Sequence, residues 1–120
     1  RLTAAIGAAA GKCVGMSTSD WVRIGGEILD EGDYSGPAGA RLALRDPRVD
    51  LAIIETARGG LMRRGLPVPT ADACLLTNVA ADHLGTYGIM DVTALADAKF
   101  QLSDAIHPGG RSILNADDPE

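Results

Sequence analysis

The sequence predicts an α/β domain layered three deep around a mostly parallel sheet, and three observations carry that expectation. Strand-like runs alternate with helix-forming stretches along most of the 120 residues. Two of the runs, DLAIIE and ADACLLTN, have the unbroken apolar character of strands buried on both faces. A Gly-Gly pair flanked by alternating segments marks an added β-hairpin.

In chain order, Leu2, Ile6 and the alanines of RLTAAIGAAAG form a small apolar face and predict an opening helix, with Gly11 as its C-cap. KCVGM, residues 12–16, reads as the first strand. WVRIGGEILDEG is the hairpin, because paired glycines at 25 and 26 supply the positive φ of a tight turn. From Pro37 to Arg45 the pattern is helical, with Pro in the first turn and Asp46-Pro47 ending it. Leu51 to Ile54 is a strand, residues 60–64 allow a brief helix before the Pro67 and Pro69 loop, and residues 71–78 repeat the buried-strand pattern. Asp91 opens a helix over VTALADAKFQLSDAI, Pro108-Gly109-Gly110 closes it, and RSILN is the last strand. The chain starts without Met and already inside a helix, so it is expected to be part of a longer protein.

Composition excludes several functions. A hydrophobic content of 46 % suits one compact core. The formal charge of −5 and 3 % aromatic content leave neither a basic stripe nor a stacking platform for nucleic acid. No apolar run approaches the roughly 20 residues that span a bilayer, and no leader resembling a signal peptide is visible, so a cytoplasmic location and no membrane partner are expected. Cys13 and Cys74 lack zinc-site spacing and read as buried reduced thiols.

Ligands of open α/β sheets bind beyond the carboxyl ends of the strands, where helix N-termini present free N–H groups. The predicted strands leave through Glu55-Thr56-Ala57-Arg58-Gly59-Gly60, through Asn78 to His83, and through Asn115-Ala116-Asp117-Asp118, and every one of these exits is polar. A carboxylate, an imidazole, arginine and glycine amides along one edge suit Mg²⁺ and a phosphate chain. Taken singly, Glu55 and Asp82-His83 read as caps or solvated loop residues, NADDP as a turn and Lys99 as a surface lysine. Their coincidence at strand exits favours function. Gly7-Ala-Ala-Ala-Gly11-Lys12-Cys13 is not a phosphate loop, since it has three residues between the glycines where four are needed, ends in Cys and runs from helix to strand.

TNVAADHLG, then Ala98-Lys99 on a helix, then ILNADDP resemble the central ATP-binding domain of the Mur ligases. The stretch from DEGDYSGPAGARLALRDPRVDLAIIETARGG to LMRRGL resembles one branch of them, the Mur-ligase-like half of the cyanophycin synthetases. The resemblance implies a P-loop-NTPase-like fold that is truncated on its N-terminal side, lacking the GTNGKTT phosphate loop that would fall just before RLTAAI, and without the carboxyl-terminal domain. It implies an ATP-dependent amide ligase acting through an acyl phosphate, joining arginine to aspartate side chains of a polyaspartate backbone. ATP and Mg²⁺ are the implied cofactors, amino-acid and polypeptide substrates the partners, and a homo-oligomer the state of the full-length parent. By motif, Glu55 and His83 would bind Mg²⁺, while Asn115, Asp118 and Asn78 would lie against ATP. Lys99, at a position carbamylated in many Mur ligases, and Arg58 would be catalytic, and Thr18, Ser19 and Asp20 would face the acceptor substrate. Gly85, where many Mur ligases have Asp after DHL, favours the cyanophycin branch. The isolated chain is expected not to turn over ATP. The alternatives are another Mur-type amino-acid or peptide ligase, discriminated against by ETARGG, and a non-catalytic nucleotide-binding α/β module.

Overall fold

The computed structural model describes residues 1–81 and 84–119. It is a mixed α/β structure in two compact units, Arg1–Pro67 and Val68–Glu120.

The first unit holds α1 (Leu2–Ala9), β1 (Val14–Ser17), β2 (Trp21–Ile24), β3 (Glu27–Glu31), α2 (Pro37–Arg45), β4 (Leu51–Ile54) and α3 (Arg58–Arg64). Its sheet runs β3-β2-β1-β4. β4 is parallel to β1, with Val14 opposite Leu51 and Ser17 opposite Ile54. β2 and β3 add antiparallel strands on the other side of β1. The expected hairpin is therefore present, with Gly25 at φ +56° in its turn. The sheet as a whole is mixed, because the hairpin lies directly against β1.

β1 is buried along its whole length, and its alternation explains why. Val14 and Met16 pack with Ala4 of α1 and with Trp21, Leu51 and Ile53. Ser17, on the opposite face, meets α2, where a Cβ on Gly39 would lie 2.8 Å from the Ser17 Cβ. The apolar face predicted for α1 is corrected here: Leu2 and Ile6 are 76 % and 62 % exposed, and the buried positions are Ala4 and Gly7. Small residues let the helix backbone approach closely, since a Cβ on Gly7 would sit 2.6 Å from Leu51 Cδ2. Gly11 ends α1 at φ +78°. The Lys12 amide donates to the Gly7 carbonyl at 3.1 Å and the Gly11 amide to the Ala8 carbonyl at 3.0 Å, a Schellman cap. Gly11-Lys12 thus serves helix termination, in keeping with its rejection as a phosphate loop.

The second unit holds β5 (Ala71–Leu76), α4 (Val92–Phe100), the 3-10 segment Gln101–Ala105 and β6 (Ile106–Leu114), with β5 and β6 parallel. Asp91 caps α4 by accepting from the Ala94 amide at 2.8 Å. Two expectations change. The helix ends at Phe100, and His107-Pro108-Gly109-Gly110 belongs to β6 as a bulge, because the register passes from Ala71↔Ile106 to Ala73↔Arg111. His107 stabilises the bulge, lying 3.2 Å from Asp72 Oδ1 through Nε2 and accepting the Gly109 amide at 3.0 Å through Nδ1. Nor are the parallel strands buried on both faces: β4 is half-buried throughout and β5 is largely exposed. The 3-10 segment explains the one-sidedness in the second unit, since Ser103 and Ser112 meet at 3.3 Å on the Cys74–Ser112 side. The paired Leu75 and Ile113, on the opposite side, stay 54 % and 49 % exposed. Cys74 is buried, Cys13 is partly so, and both are free thiols, as expected. Among the described residues no helix is long and apolar enough to cross a membrane.

The contact of α2 with β1 makes two predictions of opposite sign, both readable from Trp21, the single tryptophan. A Cβ on Gly39 would lie 2.1 Å from the Tyr34 carbonyl oxygen. Gly39→Ala should therefore destabilise the unit by about 2 kcal/mol, despite the ~1 kcal/mol gained in helix propensity. Ser17 Oγ is buried with no hydrogen-bond partner. Ser17→Ala keeps the Cβ contact while deleting an unsatisfied hydroxyl, and should raise the denaturant midpoint by the equivalent of about 1 kcal/mol.

Candidate functional site

Polar strand exits gather in each unit. In the first, β1 and β4 are parallel and end together, with the Glu55 amide donating to the Ser17 carbonyl at 3.0 Å. Thr18 is fully buried, and its hydroxyl accepts from the Asp20 and Trp21 amides at 3.1 Å each and donates to the Trp21 carbonyl at 3.2 Å. Its side chain is committed to shaping the turn. Ser19 and Asp20 are exposed beyond it, and Asp20 pairs with Arg1. Glu55 is exposed, and its carboxylate makes no hydrogen bond or ion pair with the described residues. Arg58 begins α3 and is half-buried.

The segment between the hairpin and α2 closes over the same rim. The Tyr34 amide donates to the Thr18 carbonyl at 2.8 Å, and the Ala57 amide to the Ser35 carbonyl at 3.0 Å. A Cβ on Gly60 would lie 3.1 Å from that Ser35 oxygen, so glycine lets α3 start against the loop. Between them lies a cleft of about 270 Å³, bordered by Asp33, Ser35, Gly36, Gly60, Arg63 and Arg64. Asp33 accepts from the Ser35 hydroxyl at 2.6 Å and from its amide at 3.1 Å. The hydroxyl chiefly, then the amide, and then the charge of Arg63 hold this carboxyl below the usual range. None of Asp33, Ser35, Arg63 and Arg64 was singled out from sequence. Their only signal was DYSGP before a helix and an arginine pair at the end of ETARGGLMRR.

In the second unit the exits of β5 and β6 are tied together. The Val79 amide donates to Asp118 Oδ2 at 2.5 Å, across 39 residues of chain. Asn115 closes the β6 exit by accepting the Asp117 amide on Oδ1 at 3.1 Å, while its carbonyl accepts the Asp118 amide at 3.2 Å. NADDP is thus a turn, as its composition suggests. Lys99, half-buried on α4, donates through Nζ to the Asn78 carbonyl at 3.1 Å, and Asn78 Oδ1 accepts the Thr77 hydroxyl at 3.3 Å. Asn78, Lys99, Asn115 and Asp118 therefore share one rim. Asp82 and His83 lie outside the described residues. Among the described residues no group of three or more His, Cys, Asp and Glu is placed to hold a metal, so the free carboxylate of Glu55 is the described part of the expected Mg²⁺ ligand set.

In open α/β folds ligands bind at the loops beyond the strand ends, and both the mixed sheet of the first unit and the parallel pair of the second carry polar loops there. Residues 10–120 match the Mur ligase middle domain, and the chain belongs to that family. It is 44 % identical over 99 % of its length to a cyanophycin synthetase of Crocosphaera subtropica and 43 % identical over 99 % to one of Synechocystis. It is also 33 % identical over 81 % of its length to the UDP-N-acetylmuramoylalanine–D-glutamate ligase of Chlorobium luteolum. The chain spans about 14 % of the length of those two cyanophycin synthetases.

Asp118→Ala should release the β5 exit. A hydrogen bond to a charged acceptor is worth about 1.5 kcal/mol at its lower end, so amide exchange at Val79 should accelerate about tenfold, while exchange in β1 stays unchanged.

Proposed function

We propose that the chain is the nucleotide-binding core of an ATP-dependent amide ligase, with the three-layer, P-loop-NTPase-like arrangement of that class. In this reading its longer parent is a cyanophycin synthetase joining arginine to aspartate side chains of a polyaspartate backbone. The observation that carries it is 44 % identity to a cyanophycin synthetase sustained over 99 % of the chain.

In the reaction a substrate carboxylate oxygen attacks the γ-phosphorus, and the bond to the ADP oxygen breaks. The amine nitrogen then attacks the acyl carbon, phosphate leaves, and the nitrogen loses a proton. No side-chain nucleophile is required. Negative charge develops on the transferring phosphoryl group, so positive charge fixed beside it contributes most. Glu55, with His83 by motif, would hold Mg²⁺, which when bound supplies that charge. The exposure and free carboxylate of Glu55 support this role. Asn78, Asn115 and Asp118 would form the nucleotide-facing rim, its shape fixed before ATP arrives by the Val79 amide donating to Asp118, the Asp117 amide to Asn115 and Lys99 to the Asn78 carbonyl. Lys99 and Arg58 are the catalytic residues of this reading. A carbamylated Lys99 would keep one N–H for the Asn78 carbonyl and add an anionic group beyond it. Ser19 and Asp20 face the acceptor, and Thr18 positions them through its turn.

The test uses the full-length parent. Glu55→Gln preserves size and removes the ionic ligand, so arginine- and primer-dependent phosphate release should fall roughly a hundredfold with the circular-dichroism spectrum unchanged. Retention of wild-type turnover by that variant would overturn the reading.

A further inference from the structure

We infer that the bulge at the start of β6 is a proton-operated latch: the neutral ring of His107 holds it shut, and a proton taken up at Nδ1 releases it. The register fixes its place, since β6 advances five residues, from Ile106 to Arg111, while β5 advances two, from Ala71 to Ala73. Closure is tight at Gly110, where a Cβ would lie 2.5 Å from Ile106 Cγ2 and 2.6 Å from the Asp72 carbonyl oxygen.

The two ring nitrogens meet different kinds of group, which decides the tautomer. Nδ1 accepts the Gly109 amide at 3.0 Å, so it carries a lone pair and no hydrogen. The hydrogen of the neutral ring therefore sits on Nε2, which lies 3.2 Å from Asp72 Oδ1 and donates to it. The Gly109 contact copies an Asx turn, in which a side-chain oxygen accepts the amide two residues on, but here the acceptor titrates. Solvent reaches the ring, whose side chain is 43 % exposed. A proton added to Nδ1 occupies the lone pair, turns the acceptor into a donor and points two N–H groups at each other, so the Gly109 bond is lost. Asp72 attracts the imidazolium, yet its carboxylate is fully exposed and screened, and it faces Nε2, whose hydrogen is present in both states. Arg111, tied through Nη1 to the Gly109 and Gly110 carbonyls at 3.2 and 3.0 Å, sets a cation beside the charge that protonation adds. The 3-10 segment packed on both strands carries one charge, Asp104, which is exposed and makes no hydrogen bond or ion pair with the described residues. Release is confined to the start of β6, because the pairing from Ala73↔Arg111 to Leu76↔Leu114 lies beyond the bulge.

The chain has two histidines, so ring-nitrogen NMR contains two ring systems, and His107→Phe identifies which is which. At about pH 8 the His107 signals should be those of the Nε2–H tautomer. Between about pH 8 and about pH 5, the range in which an imidazole takes up its proton, protection of the Gly109 amide against exchange should fall about fivefold, the effect of one lost hydrogen bond, while the amides from Ala73 to Leu76 keep theirs. His107→Asn puts an oxygen that does not titrate in place of Nδ1 and should keep Gly109 protected at both ends of this range. His107→Phe has no acceptor and should leave Gly109 unprotected at both. An Nδ1–H tautomer in the alkaline spectrum, protection of Gly109 that survives protonation of His107, or an equal pH dependence in His107→Asn overturns the inference.

Discussion

The first unit depends on how closely α2 approaches β1. At Gly39 there is no room for a methyl group, because the Tyr34 carbonyl oxygen, the Tyr34 Cβ and the Ser17 Cβ already occupy that space. The approach brings the segment before α2 down onto the strand ends, where Tyr34 takes up the Thr18 carbonyl and Ser35 the Ala57 amide. The loop that carries Asp33 is positioned by these backbone bonds together with the Ser35 hydroxyl and amide that donate to Asp33 within it. An unsatisfied hydroxyl at Ser17 is buried in the same contact, at a cost of about 1–3 kcal/mol. A native fold retains such a group only where the surrounding packing more than offsets it.

The second unit solves the same problem by other means. Two parallel strands bury little, and the face bearing Leu75 and Ile113 is open. Its loops are therefore ordered by polar ties, with a carboxylate spanning from the β6 exit to the β5 exit and a lysine from α4 reaching the Asn78 carbonyl. The Val79 amide and the Asn78 and Asn115 carbonyls in these exits are already satisfied by protein groups.

The hairpin, α2, β4 and the start of α4 were legible in the sequence because each is set by local chemistry. Gly25 supplies a positive φ, Pro37 suits a first turn, and Asp91 caps with its own side chain. Elements decided by distant partners were not legible. Nothing local in RLTAAIGAAAG says that Gly7 will be pressed against Leu51 and so leave Leu2 and Ile6 outside. Pro108-Gly109-Gly110 reads as a stop signal, yet Asp72 on another strand recruits His107 and turns the same residues into a bulge. For the proposed site, the rule that ligands bind beyond strand ends singles out Glu55, Asn78 and Asn115, and the structure does put each of them just past a strand. Arg63 and Arg64 lie a helix away from any exit and come into view only once α3 is seen against the Asp33–Pro37 loop.

A division of labour among the polar residues follows from their partners. Thr18, Asn115 and Asp118 spend their side chains on backbone amides, and replacing them removes the shape of a loop. Glu55 and Arg64 spend theirs on nothing among the described residues. An exposed charge without a partner contributes little to stability, so replacing it should leave the fold unchanged. The two kinds of residue are then separable by experiment. Substitutions in the first should change amide exchange and ligand affinity together, whereas substitutions in the second should change affinity or turnover while the fold stays as it is.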